Sequence, residues 1–144
     1  MKLFPLATLG VALLSVLAAC ASLTKPSASD RYFIEQVKPV FEAHCLRCHS
    51  GELPAAGLNL SNGARAMASH RATGGQFIVP GKVEASYLLR AIARNGTHPK
   101  LMPRADLSLT DDQIGALTEW IEDGAHWPSG PTGELHHVAT GENR

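Results

Sequence analysis

The chain has 144 residues, with 13 basic side chains against 13 acidic ones and a formal net charge of zero. That length is enough for one small domain. The balance hides a separation. Residues 63–104 carry Arg65, Arg71, Lys82, Arg90, Arg94, Lys100 and Arg104 against Glu84 alone, whereas residues 105–144 carry eight carboxylates against Arg144 alone.

The chain begins with Lys2, an apolar run from Leu3 to Leu17, and then Ala18-Ala19-Cys20. A short basic start, an apolar stretch and small residues before a cleavage point describe a secretory signal. As a membrane-spanning helix it is short and interrupted by Pro5, Gly10 and Ser15. Leu17-Ala18-Ala19-Cys20 resembles a bacterial lipobox. That resemblance implies that residues 1–19 are a lipoprotein signal peptide and that Cys20 becomes the acylated first residue of the mature protein. A plain secretory signal with an incidental cysteine is the competing reading, but lipidation accounts for an otherwise unpaired thiol in an oxidising compartment. Several acyl chains on one residue anchor stably. The expected location is the bacterial periplasm, anchored to the membrane through Cys20. Residues 20–29 are small and polar and read as a flexible tether.

Asp30 is placed to cap a first helix whose Phe33, Ile34, Val37, Val40 and Phe41 share one broad apolar face. Pro39 removes a donor within that pattern, so a kink or restart is expected there. The helix delivers Cys45. A short helix is expected from Gly63 to His70 and another from Glu84 to Arg94, with Leu88, Leu89 and Ile92 inward. Thr110 to Gln113 forms a capping-box pattern, Ile114, Leu117, Trp120 and Ile121 follow as an apolar stripe, and Gly124 supplies a left-handed stop. Leu58-Asn59-Leu60 alternates like a strand but is too short to build a sheet. The fold expected is all-α, with a core domain at residues 30–127. Residues 128–144 are polar and glycine-rich and are expected to be a mobile tail.

Cys45-Leu46-Arg47-Cys48-His49 carries the chemistry. In C-x-x-C-H each cysteine sulfur adds to one vinyl group of a haem and the histidine ligates its iron. Half a zinc site is the alternative, but zinc wants a second pair of ligands, and the remaining cysteine is Cys20. A thioredoxin-like redox pair needs a strand–helix–strand setting that no β-branched run before Cys45 provides. One covalently bound haem c, held by Cys45 and Cys48, is therefore expected, and it supplies apolar interior that so small a domain lacks.

For the sixth ligand the mature chain offers Met67 and Met102. Met67 lies among alanines in an expected helix and suits core filling. Met102 lies in a loop stiffened by Pro99 and Pro103, and a thioether paired with histidine raises the reduction potential. His98 is the competing ligand. The metal ligands expected are His49 and Met102. The ring nitrogen of His49 away from iron needs an acceptor, for which a backbone carbonyl near Pro54 is expected. Arg71, Arg90 and Arg94 are candidates for the haem propionates.

The order of parts resembles class I cytochromes c: a haem motif after the first helix, Met102-Pro103 later, and a closing helix. The finer resemblance is to the planctomycete-type cytochrome c domain, through the C-x-x-C-H stretch, Gly57-Leu58-Asn59-Leu60, Gly74-Gly75, Ile78-Val79-Pro80-Gly81, Ser86-Tyr87-Leu88-Leu89, Met102-Pro103 and Trp120 to Pro128. It implies a small class I cytochrome c fold with a single haem.

An iron with both axial positions filled favours electron transfer over catalysis, so the chain is expected not to be an enzyme. It is expected to carry single electrons between redox-partner proteins. A haem-based gas sensor with a labile sixth ligand and a non-catalytic interaction module are the competing readings. Positive charge near the Met102 loop would steer partners with acidic surfaces, unless the two charge blocks pair with each other across the fold. Nucleic acid does not fit the compartment.

Overall fold

The structure, a computed structural model, describes residues 25–93, 102 and 108–138. Every regular element among them is helical, apart from one isolated bridge between His70 and Gln76, so the fold is all-α.

The first helical stretch has three parts: α1 (Ala28–Tyr32), a π-helical turn (Phe33–Val37) and α2 (Lys38–His44). Its cap differs from expectation. Ser27 is the N-cap, accepting from the Asp30 backbone N–H at 3.0 Å, while the Asp30 carboxylate accepts from the Ser27 N–H at 3.0 Å. A carboxylate three positions inside the helix satisfies a free backbone donor that the same residue used as a cap would leave exposed. The expected tether boundary at residue 29 moves with it, because Ala28 and Ser29 are helical.

Pro39 explains the π turn. It has no N–H for the Glu35 carbonyl, and its ring would crowd that oxygen. The backbone widens over Phe33–Val37 and restarts at Lys38 with Pro39 in the new first turn. The widening keeps Phe33, Val37 and Phe41 fully buried on one face.

That face packs against α5 (Asp111–Glu122). Trp120 and Trp127 meet Phe33 and Phe41 with ring centroids 4.6–6.0 Å apart. Each buried aromatic contributes about 1.5–3 kcal/mol from area alone, so this box is the main bond between the two ends of the domain. The capping box of Thr110 and Gln113 is present as expected. Gly124, at φ +97°, turns the chain out of α5, and Ala125 N–H returns to the Trp120 carbonyl at 2.8 Å.

Two short helices complete the domain. α3 (Gly63–Ala68) is capped by Asn62 and stops two residues before the expected end. α4 (Tyr87–Ile92) starts later than the expected Glu84. The buried Ser86 hydroxyl accepts from Val79 N–H at 2.9 Å and donates to the Lys82 carbonyl at 2.9 Å, holding residues 79–86 as a turn instead of a helix. Leu88, Leu89 and Ile92 face the core as expected.

The expectation of a mobile tail from Pro128 is corrected. Residues 128–138 lie on the domain as a strap, with Leu135 only 4 % exposed. Trp127 Nε1 donates to the Gly133 carbonyl at 2.8 Å, Lys38 Nζ donates to the carbonyls of Thr132 and Glu134, and His136 N–H donates to the Glu42 carboxylate. Polar composition did not prevent packing because the partners are mostly backbone groups, and one leucine anchors the segment. Residues 139–144 lie outside the described residues.

Candidate haem-attachment site

The C-terminus of α2 presents the motif. Cys45 and Leu46 N–H both donate to the Phe41 carbonyl at 3.0 Å, and His49 N–H donates to the Cys45 carbonyl at 2.9 Å, so the five residues continue as a tight turn. This turn sends Cys45 and Leu46 inward and leaves Arg47 and Cys48 exposed. Burial, with a smaller contribution from nearby Cys48, pushes the Cys45 thiol up to about 12. A sulfur kept neutral among Leu46 and the other core residues suits a thioether, which carries no charge. Neither thiol is in a disulfide.

The following loop is fastened to the motif at several points. Ala55 N–H donates to the Cys48 carbonyl and Leu60 N–H to the His49 carbonyl, both at 2.8 Å, while the Asn59 amide donates to the Gly51 carbonyl at 2.8 Å. It brings the Ala55 carbonyl within 3.1 Å of His49 Nδ1. A carbonyl can only accept, so Nδ1 carries the proton and Nε2 of the neutral ring keeps the lone pair a metal needs. The acceptor lies one residue beyond Pro54. Burial lowers the His49 pKa, opposed by backbone hydrogen bonds to Leu58 and Ala55, and so favours the neutral ring. Two sulfurs, one of them in the apolar core, and an oriented imidazole fit a covalently held haem. Such a group supplies one-electron iron chemistry when bound.

Of the other expected residues, Met102 is described and is 39 % exposed, with its backbone N–H donating to the Ala91 carbonyl of α4 at 3.0 Å. Met67 is partly buried against the core, in keeping with a filling role. Cys20, Arg94, His98, Lys100 and Arg104 lie outside the described residues. Arg71 and Arg90 converge on the ring of Tyr87, with Cζ atoms 3.8 and 5.5 Å from its centroid. Sequence reasoning missed Tyr87 as their common platform. The three-residue spacing of Tyr87 and Arg90 on one helix was a usable signal, whereas nothing local pointed to Arg71. Among the described residues no ion pair joins the basic and acidic blocks; the pairs found are Lys38–Glu42 and His126–Asp30. Two surface grooves, of about 680 and 610 Å³, open beside α5 and beside α3, and neither includes a motif residue.

An all-helical domain that presents an inward cysteine, an outward one and an oriented histidine in C-x-x-C-H spacing has the arrangement that haem attachment in a c-type cytochrome requires. Residues 45–106 match the family described as Planctomycete cytochrome C, so that stretch of the chain is similar to a planctomycete-type cytochrome c domain. The match spans α3, α4 and the motif, and α1, α2 and α5 flank it. No curated protein and no solved structure matches the chain.

Proposed function

We propose that this c-type cytochrome carries single electrons between redox proteins in the bacterial periplasm. In this reading it holds one haem through Cys45 and Cys48, with His49 and Met102 as axial ligands, and is anchored to the membrane by lipid on Cys20. It performs no catalysis of its own. The observation that supports it best is the hydrogen bond between His49 Nδ1 and the Ala55 carbonyl at 3.1 Å, because it fixes the ring's orientation and leaves Nε2 free to ligate iron. Met102 occupies a loop residue tied to α4, where its thioether is accessible to a cofactor. Filling both axial positions leaves electron exchange as the iron's role, and the cationic segment 63–104 favours partners with acidic surfaces.

Visible spectra of the purified protein in both redox states test this reading. Sharp reduced-state bands of a low-spin haem c, one haem per chain, and no reaction of the reduced protein with carbon monoxide are expected. Rapid carbon monoxide binding would favour a gas-sensing role with a labile Met102 instead.

A further inference from the structure

We propose that Arg71 and Arg90, both set against the ring of Tyr87, form a carboxylate clamp that docks an acidic partner protein. The proposal rests on the electron-carrier reading for its biological role, and on the clamp's own geometry for its chemistry.

The clamp is assembled from two parts of the fold. Tyr87 is the first residue of α4 and Arg90 lies three positions on, on the same side of the helix. Phe77 packs edge-on to Tyr87 at 6.0 Å and 70°, and its carbonyl accepts from Leu88 N–H at 2.9 Å, so the ring is braced from the core side. Arg71 comes from a tight loop closed by the His70–Gln76 bridge. Its N–H donates to the Gly75 carbonyl at 3.0 Å and its carbonyl accepts from Gly74 N–H at 2.9 Å. Gly74 and Gly75 sit at φ +84° and +87°, where a side chain would be strained, so the sequence spends two glycines on this loop. The guanidinium of Arg71 itself lies 3.8 Å from the ring centroid.

A guanidinium stacked on an aromatic ring has little side-chain freedom left to lose and keeps in-plane N–H donors for a second group; Arg71 spends one, from Nη1, on the Gly74 carbonyl at 3.4 Å. Neither arginine forms an ion pair with any described residue. Glu84 is the one carboxylate in residues 63–104, so this segment carries a net positive charge. Arg90 is exposed and Arg71 partly so. Positioned, accessible positive charge of this kind is suited to carboxylates arriving from outside.

The test uses the full haem-loaded chain and a poly-glutamate peptide, with affinity measured calorimetrically at low ionic strength. Arg71→Gln with Arg90→Gln should weaken binding roughly tenfold, whereas Arg65→Gln with Lys82→Gln, which removes the same charge, should weaken it far less. Tyr87→Phe should bind like wild type because it keeps the ring face, and Tyr87→Leu should resemble the arginine pair. Equal losses in the two double variants, or no loss in the first, would overturn the clamp. So would an arginine pair that shifts the pH dependence of the reduction potential with peptide affinity unchanged, since the haem's own carboxylates would then be its ligand. Oxidation by the trianion tris(oxalato)cobaltate(III) is followed in parallel. A protein that binds the peptide through Arg71 and Arg90 yet transfers no electrons keeps the clamp and loses the carrier reading.

Discussion

Leu135 donates its backbone N–H to the carbonyl of Ser61 at 2.9 Å, which fastens the C-terminal strap to the turn preceding α3. The same strap reaches α2 through Lys38 and Glu42, so the helix that ends in Cys45 is held on two sides. Leu135→Ala removes a deeply buried apolar side chain of the strap. It should cost about 2–4 kcal/mol of stability, read as a lower denaturation midpoint. A change within about 0.5 kcal/mol, the usual size for surface positions, would mean the strap rests on the domain without supporting it.

Asp30 and His126 form a further link between the ends of the domain, with Nε2 to Oδ1 at 2.8 Å. Hydrogen bonds from His126 and then Ser27 lower the Asp30 pKa below its ordinary 3.8. A lowered acid pKa means the ionised form is favoured in the folded state. Its stabilisation is therefore complete above the ordinary value and is lost as pH falls through the folded one. Asp30→Asn should melt earlier than wild type near neutrality, and the two melting curves should converge in acid. A difference that persists or grows on acidification would contradict the assignment.

For the iron ligands, the ferric protein should show the weak far-red sulfur-to-iron absorption band. Met102→Ala should abolish it, lower the reduction potential and admit carbon monoxide to the reduced iron. His98→Ala should change none of these. If the band is absent from wild type and His98→Ala is the variant that moves the potential, the haem is bis-histidine.

Cys20→Ser should leave the haem spectrum intact while moving the protein from the membrane fraction to the soluble periplasmic fraction. Mutant protein that stays with membranes after its signal has been removed would rule out the lipid anchor.

How far the sequence could be read depended on the range of the interactions. The C-x-x-C-H spacing, the Thr110–Gln113 box and the stop at Gly124 are all local, set by residues within a turn or two of one another, and all were legible. The restart at Pro39 was legible for the same reason, although its form, a π turn in the preceding residues, was not. The start of α4 was misjudged because Ser86 spends its hydroxyl on Val79 and Lys82, which periodicity does not register. Asp30 looked like a cap because its residue type favours that position, but Ser27 and Asp30 satisfy two backbone donors between them where one cap satisfies one.

The sequence by itself determined the helical class, the C-x-x-C-H spacing and the buried faces of the first helix, α4 and α5, because periodicity, capping and ligand spacing are properties of neighbouring residues. Only the tertiary structure decided that Ala55 orients His49, that Arg71 joins Arg90 on Tyr87, and that residues 128–138 belong to the domain. Each of these depends on a backbone carbonyl, a loop closure or a single buried leucine meeting a partner placed by the fold. Such contacts leave no period in the sequence.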